Sequence, residues 1–235
     1  MESVSIACAF LDGLRLDFPS QFDLFTLPYL WDDEKNHQIC FVDKQSWIHA
    51  KKRDEFGSMI ASADMILNRD SGAAESVLMR GEKDSRCWPV PFIHQVLLDA
   101  IKESMEEENS ARLENPGEET KAYRPQKVLT PLLSSLEKRN GSVFLLGGNP
   151  ITLIKAEKNI RATYPGITIV GSMHGLYRPE EESAIIEAIQ KGAPQLILAG
   201  SPLPDGECWI PRHMNITRSG IFFYYKPIMK WISGR

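Results

Sequence analysis

Residues 142–199 read SVFLLGGNPITLIKAEKNIRATYPGITIVGSMHGLYRPEEESAIIEAIQKGAPQLILA, a stretch that alternates short apolar runs with amphipathic segments. The runs Ser142–Leu146, Ile167–Val170 and Gln195–Ala199 are each followed by a glycine-containing turn. The segments between them carry apolar residues at three- and four-residue spacing, which is typical of helices with one buried face. Such strand–turn–helix units favour parallel strands joined by crossover helices. We therefore predict an α/β fold in which these three strands are parallel neighbours in one sheet.

The first half of the chain shows the same alternation with weaker signals. It predicts strands at His37–Asp43 and Asp64–Leu67. It predicts helices at Gln45–Ser62, Ala73–Met79 and Phe92–Met105. An acidic segment, Glu106–Arg124, then interrupts the pattern with few apolar residues, as is typical of an exposed connection. We therefore divide the chain into an N-terminal α/β half (1–105), an acidic linker (106–124) and a second half (125–235).

The composition argues against several classes of protein. A net charge of −4 over 235 residues argues against a nucleic-acid-binding surface. No apolar run approaches the ~20 residues that span a bilayer. The N-terminus lacks the basic and apolar regions of a signal peptide, so we expect a cytoplasmic protein. Neither a zinc site nor a disulfide framework is expected, because the four cysteines are widely scattered; they are Cys8, Cys40, Cys87 and Cys208.

Ligands of open parallel sheets bind beyond the carboxyl ends of the strands. The blocks expected there are Asp43–Gln45, Asp70–Gly72, Gly147–Asn149, Ser172–Gly175 and Gly200–Pro202. Gly147 and Gly148 allow a diphosphate or ribose to approach the backbone closely, although a double glycine is also common in a tight turn. Neither a G-x-G-x-x-G fingerprint nor a P-loop is present, which argues against a dinucleotide-dependent oxidoreductase.

Three single residues have both a catalytic and a structural interpretation. Asp70 follows an apolar run, where it can act as a general base or cap the next helix. Arg86 can bind a diphosphate through its planar guanidinium or simply lie at the surface. His174 can donate to a phosphate or sugar hydroxyl, but a single loop histidine is more often structural. None of the three identifies a function alone.

Taken together, these blocks resemble the WecG/TagA/CpsF family of glycosyltransferases. The closest segments are FLLGG (Phe144–Gly148), RATYPG (Arg161–Gly166), IVGSMHG (Ile169–Gly175), P-x-L-x-L-x-G-x-P (Pro194–Pro202) and E-x-W-I (Glu207–Ile210). Upstream, SADMILNRDSG (Ser62–Gly72) and CFVDKQSW (Cys40–Trp47) resemble two further blocks of that family. The resemblance covers about Ile39 to Arg235 and implies a Rossmann-like fold, a mainly parallel sheet with helices on both faces.

The resemblance also implies an activity. Members of that family transfer an N-acetylmannosamine-type sugar from a UDP donor to a polyprenyl-diphosphate-linked acceptor, with inversion and without a bound metal or other cofactor. It implies that Asp70 is the general base and that Arg86 stabilises the departing diphosphate. The first half would hold the acceptor and the base, and the second half the UDP-sugar, in a possible homo-oligomer. The residues expected to bind substrate are Asp43, Gly147, Gly148, Asn149, His174, Gly175, Pro202 and Glu207.

The chain departs from the family pattern at several positions. Phe41-Val42-Asp43 replaces a Thr-x-Asn motif, and the glutamine expected before Glu207 is missing. Lys226–Lys230 replaces a Gly-Gly-x-Phe-Asp block. Each lost polar group costs ~1–3 kcal/mol of binding, and a lost oxyanion donor ~10²–10³ in rate. A degenerate relative that binds a nucleotide sugar or a protein partner without turnover is therefore the alternative hypothesis.

The end of the chain, Tyr224–Arg235, mixes aromatic residues with three cations. Family members continue into a basic appendage that reaches the membrane, and the composition of this shorter end permits only weak interfacial binding. We expect instead a last helix packed against the sheet through Ile228, Trp231 and Ile232.

Overall fold

A six-stranded parallel sheet forms the centre of the molecule, in a computed structural model that describes residues 3–52, 54–89, 122–216 and 219–234. In pairing order its strands are β4 (Met65–Asn68), β3 (Asn36–Val42), β9 (Gly220–Tyr224), β8 (Leu196–Ala199), β6 (Ser142–Leu146) and β7 (Thr168–Met173). β6 pairs in parallel with both β7 and β8. The predicted α/β fold and the predicted parallel strands of the second half are confirmed.

β9 joins the two halves of the chain, and it was not predicted. Phe223 of this strand is in register with Ile39 of β3 on one side and with Leu198 of β8 on the other. Strands from both halves therefore belong to one sheet.

A small antiparallel sheet, also not predicted, lies beside β4. Its strands are β1 (Ser3–Leu11), β2 (Leu14–Phe18) and β5 (Glu82–Pro89), in the order β2-β1-β5. Asp12 and Gly13, with φ angles of 55° and 78°, form the two-residue turn between β1 and β2. Asp17 attaches the small sheet to the large one, because its carboxylate accepts a hydrogen bond from the backbone N–H of Ile66 (2.7 Å).

Helices cover both faces of the parallel sheet, as predicted. On one face lie α1 (Gln21–Leu30), α5 (Pro125–Lys138), α6 (Pro150–Thr163) and α9 (Ile228–Ile232). On the other face lie α2 (Lys44–Ala50), α3 (Glu55–Ser62), α7 (Glu182–Gly192) and α8 (Trp209–His213). A further helix, α4 (Ser71–Arg80), follows β4.

The predicted last helix, α9, is confirmed, but the extent of one other helix and the burial of one side chain were predicted wrongly. The helix predicted over Gln45–Ser62 is two helices, because Asp54 starts a new one by accepting a hydrogen bond from the N–H of Gly57 (2.9 Å). In α9, Ile228 is buried as expected, whereas Trp231 remains 37% exposed. The helix predicted at Phe92–Met105 and nearly all of the acidic linker lie outside the described residues.

A buried histidine lies between two aspartates near the amino end of β4. His37 Nε2 is 2.9 Å from Asp33 Oδ1, and His37 Nδ1 is 3.2 Å from Asp64 Oδ1. The ring also stacks on Trp31, with 4.7 Å between the ring centres. Although burial opposes the charged form, the two carboxylates raise the pKa of His37 above its ordinary value.

This arrangement predicts how stability changes with pH. A raised pKa in the folded state means that the imidazolium stabilises the protein below about pH 6.5, the unfolded value, and that this contribution is lost as pH rises through the folded pKa. The difference in unfolding free energy between wild type and His37→Gln should therefore shrink as pH rises. Urea denaturation of both proteins, repeated at pH values below and above neutrality, measures this difference. His49→Gln is the control, because its exposed pair with Asp54 should contribute little at any pH. If the difference in unfolding free energy between wild type and His37→Gln did not change with pH, the prediction of a charged His37 would be wrong.

Candidate functional site

The carboxyl ends of β3 and β9 flank a crevice in the sheet. The chain leaves β3 toward the face covered by α2 and α3, and it leaves β9 toward the opposite face, where α9 packs. Two adjacent strands whose connections depart to opposite faces form a topological switch point, the usual ligand site of open α/β sheets.

A cavity of about 540 Å³ opens at this switch point. One wall is the face of β3, and a second is formed by apolar side chains of α3. The 3₁₀ turn Gly206–Cys208 and the residues after β9, Tyr225 and Lys226, complete it. Its size is in the range of pockets that bind small organic ligands.

Asp43 and Arg69 form an ion pair at the rim of the cavity and line it together. Asp43 is also the N-cap of α2, because its carboxylate accepts from the backbone N–H of Ser46 (2.8 Å). Burial opposes ionisation of Asp43, but the bonds from Ser46 and the charge of Arg69 hold its pKa below the ordinary value. Asp43 is therefore a fixed anion that orients the guanidinium of Arg69.

Two further carboxylates line the cavity, Asp205 and Glu207, and Asp205 forms an ion pair with Arg212. The environment of Glu207 is the more unusual one. Desolvation by the surrounding protein raises its pKa above the ordinary value, and so does the negative charge of Asp43, whereas the charges of Arg69 and Lys226 oppose this rise. Tyr224 lies in the same wall, and burial together with the charge of Glu207 raises the pKa of its hydroxyl to about 12. Glu207 thus has the environment of an acid–base group.

Asp70 is placed beside the cavity and is not among the residues that line it. Its carboxylate accepts a hydrogen bond from the backbone N–H of Lys44 (3.0 Å), the first residue of α2. Its backbone carbonyl accepts from the side-chain amide of Asn68 (3.0 Å). Asp70 therefore contacts the start of α2 next to the Asp43–Arg69 pair.

Arg86 is remote from Asp70. It lies on β5 and donates to the backbone carbonyl of Asp64, which precedes β4, whereas Asp70 follows the end of that strand. Burial and the neighbouring Arg15 lower the pKa of Arg86. The structure does not bring Arg86 to the cavity.

The glycines of the second half hold three loops against one another. A Cβ atom on Gly147 would lie 2.0 Å from the carbonyl oxygen of Gly200, and one on Gly175 would lie 1.4 Å from that of Pro202. The N–H of Gly175 donates to the carbonyl of Gly148 (3.0 Å). These close approaches are between backbone segments of the protein, and none of these glycines lines the cavity.

The model of the "Glycosyl transferase WecG/TagA/CpsF family" matches residues 116–235, half of the chain. The chain belongs to this family. The described elements from α5 to α9 lie within the matched range. The matched range also includes Glu207 and Lys226, which line the cavity. Within the described residues, no helix combines the length and apolar character that crossing a bilayer requires.

The remaining residues that the family resemblance selected have local roles. Asn149 caps α6, because its side-chain oxygen accepts from the N–H of Thr152 (2.8 Å). His174 has a buried Nδ1 with no hydrogen-bond partner among the described residues. Pro202 is exposed beside Gly175. Of the predicted substrate-binding residues, only Asp43 and Glu207 line the cavity.

Two cations of the cavity were missed at the sequence level. Arg69 lies in the turn Asn68–Gly72 that was singled out for its aspartate, so a signal for it was present. Lys226 follows β9 and begins the segment that replaces a Gly-Gly-x-Phe-Asp block of the family, but without that strand its place in the cavity could not be inferred. Both cations are exposed at the rim.

Proposed function

We propose that this family member is a glycosyltransferase that takes a sugar from a nucleotide-sugar donor bound in the cavity between β3 and β9. The observation that carries the proposal is the composition of this cavity. It places the cations Arg69 and Lys226 and the carboxylate Glu207 at the switch point of a fold that belongs to a glycosyltransferase family. Cations at the rim suit a diphosphate, and the apolar wall of α3 suits a base or sugar ring.

The roles follow from position. Arg69, oriented by Asp43, and Lys226 bind the donor diphosphate and stabilise the charge that develops on it as the sugar leaves. Asp70, beside the rim, accepts the proton of the acceptor hydroxyl. The donor is a UDP-sugar of the N-acetylmannosamine type, and the acceptor is a polyprenyl-diphosphate-linked sugar at the inner face of the membrane. Glu207 accepts hydrogen bonds from sugar hydroxyls.

A second function, nucleotide-sugar binding without turnover, has one observation in its favour. Asp70 does not line the cavity, and its carboxylate is engaged by the N–H of Lys44. A helix-capping Asp70 beside an open cavity would leave binding intact and remove the base.

Calorimetry with UDP and UDP-sugars separates these functions when it is combined with a UDP-release assay on lipid-linked acceptor. Binding with turnover supports the transferase, and binding without turnover supports the degenerate relative. Absence of binding to any UDP compound would contradict both.

Replacing each of the two candidate arginines with methionine tests which of them binds the diphosphate. Arg69→Met should weaken UDP binding about 10- to 100-fold, because a charge-assisted hydrogen bond contributes ~1.5–3 kcal/mol. Arg86→Met should leave the affinity unchanged, because Arg86 donates to Asp64 at the other end of β4. Melting temperatures of both variants control for loss of fold. A larger loss of UDP affinity in Arg86→Met than in Arg69→Met would mean that Arg86 binds the diphosphate.

A further inference from the structure

A buried glutamine forms part of the cavity wall. Gln38 of β3 lines the cavity, although the residue is only 2% exposed. Its backbone N–H donates to Asp64 Oδ2 (2.9 Å), and it is in register with Phe222 of the neighbouring strand β9. The backbone therefore holds Gln38 in the middle of the sheet independently of its side chain.

The side-chain amide of Gln38 forms no hydrogen bond with any other residue that the structure describes. Because side chains alternate along a strand, Gln38 points to the same face of β3 as Cys40, which packs with Met59 of α3. The cavity lies on that face, since Cys40 and Met59 both line it. Buried polar groups are almost always paired, and an amide can both donate and accept. The Gln38 amide is therefore available to a ligand in the cavity.

The cavity is charged at its outer end and neutral at its inner end. The charged side chains that line it, among the described residues, all belong to segments that follow strands; they are Asp43, Arg69, Asp205, Glu207 and Lys226. The lining residues Cys40 of β3 and Met59 and Ile60 of α3 are neutral. Gln38 lies five positions before Asp43, which corresponds to ~16 Å of extended strand. An extended nucleoside diphosphate fits a cavity of this length and polarity.

The chemistry of the inner end favours the base of a nucleotide over the sugar. A sugar placed there would bury several hydroxyl groups, and a single amide cannot pair with all of them. A pyrimidine base has apolar faces and one polar edge, in which a ring N–H lies beside a carbonyl oxygen. An amide pairs with such an edge through two hydrogen bonds. The transferred sugar must also stay at the outer end, because Asp70 lies beside the rim.

We propose that Gln38 recognises the pyrimidine base of the donor nucleotide. Its amide oxygen accepts a hydrogen bond from the ring N–H, and its amide N–H donates to the adjacent carbonyl oxygen. The diphosphate then lies at Arg69, and the sugar lies beyond it at the rim. This inference rests on the proposed function, because it requires a nucleotide donor in this cavity, and it adds the residue that selects the base.

Calorimetry with UDP and with N3-methyl-UDP tests this recognition. The methyl group replaces the ring N–H, so N3-methyl-UDP should bind wild type about 10-fold more weakly than UDP, the effect of losing neutral hydrogen bonds. Gln38→Leu should weaken UDP binding by a similar factor, and it should no longer distinguish the two ligands. Inorganic diphosphate has no base, so its affinity should be the same in wild type and in Gln38→Leu.

Gln190→Leu is the matched control, because Gln190 is an exposed residue of α7 that does not line the cavity. Its UDP affinity should equal that of wild type, and melting temperatures of both variants control for loss of fold. Equal affinity of wild type for UDP and N3-methyl-UDP would overturn the role of Gln38 and leave the proposed transferase standing. Unchanged UDP affinity in Gln38→Leu would likewise overturn it, and would mean that the amide binds water. If neither UDP nor its methyl derivative bound to wild type, the proposed function would be wrong as well.

Discussion

Gly147→Ala should lower the free energy of unfolding by about 3 kcal/mol or more, because two separate costs combine. The φ angle of Gly147 is +118°, a backbone conformation that L-residues rarely adopt. In addition, the new Cβ would lie 2.0 Å from the carbonyl oxygen of Gly200, and both atoms belong to backbone segments that cannot rotate away. Urea denaturation measures the loss.

Gly13→Ala is the control for this prediction. Gly13 also has a positive φ, +78°, but a Cβ there would meet nothing within 4 Å. It should therefore show only the backbone cost of about 1–2 kcal/mol. Equal destabilisation of the two variants would mean that the loops after β6 and β8 do not press on each other as described.

The contact between Gly147 and Gly200 also changes how loss of UDP binding in a Gly147 variant is interpreted. From the sequence, a branched side chain at Gly147 is expected to block the approach of a nucleotide to the backbone. In the structure Gly147 faces Gly200 rather than the cavity, so a Gly147→Val variant would lose UDP binding through the fold. Variants of cavity-lining side chains such as Arg69 test the site more directly.

The second half of the fold could be predicted because its signals are local. Its strands β6, β7 and β8 are short apolar runs that end in glycine-containing turns, and the helices between them each have one apolar face. The hairpin of β1 and β2 also has a local signal, the Asp12-Gly13 pair between two alternating runs. The apolar run of β9 is equally visible as Ile221-Phe222-Phe223.

The order of strands had no such signal. That β9 lies between β3 and β8 depends on pairing between residues about 180 positions apart, which no local pattern specifies. Prediction of the site is limited in the same way, because it depends on which strands are neighbours. Asp43 was placed correctly at the carboxyl end of β3 because its strand and helix cap are local, whereas the distance of Arg86 from Asp70 depends on how β5 pairs with β1.

The largest functional effect is expected at Asp70. If its carboxylate is the general base, Asp70→Asn should lower kcat about 10²- to 10⁴-fold, and UDP affinity should stay the same. The amide oxygen of asparagine can still accept the hydrogen bond from the N–H of Lys44, so the start of α2 should be preserved. Single-turnover assays with lipid-linked acceptor, and calorimetry with UDP, give the two quantities separately.

Glu207→Gln distinguishes the two carboxylates of the site. As a group that binds sugar hydroxyls, Glu207 should mainly raise KM on substitution, with a smaller change in kcat. If Glu207 were the base instead, its raised pKa would place the acid limb of the kcat–pH profile above the range of an ordinary carboxylate, and Glu207→Gln would abolish that limb. Asp84→Asn, an exposed substitution on β5, is the control and should change neither parameter. A full rate in Asp70→Asn together with a lost rate in Glu207→Gln would assign the base to Glu207, because the carboxylate that takes the proton must reach the acceptor in the cavity.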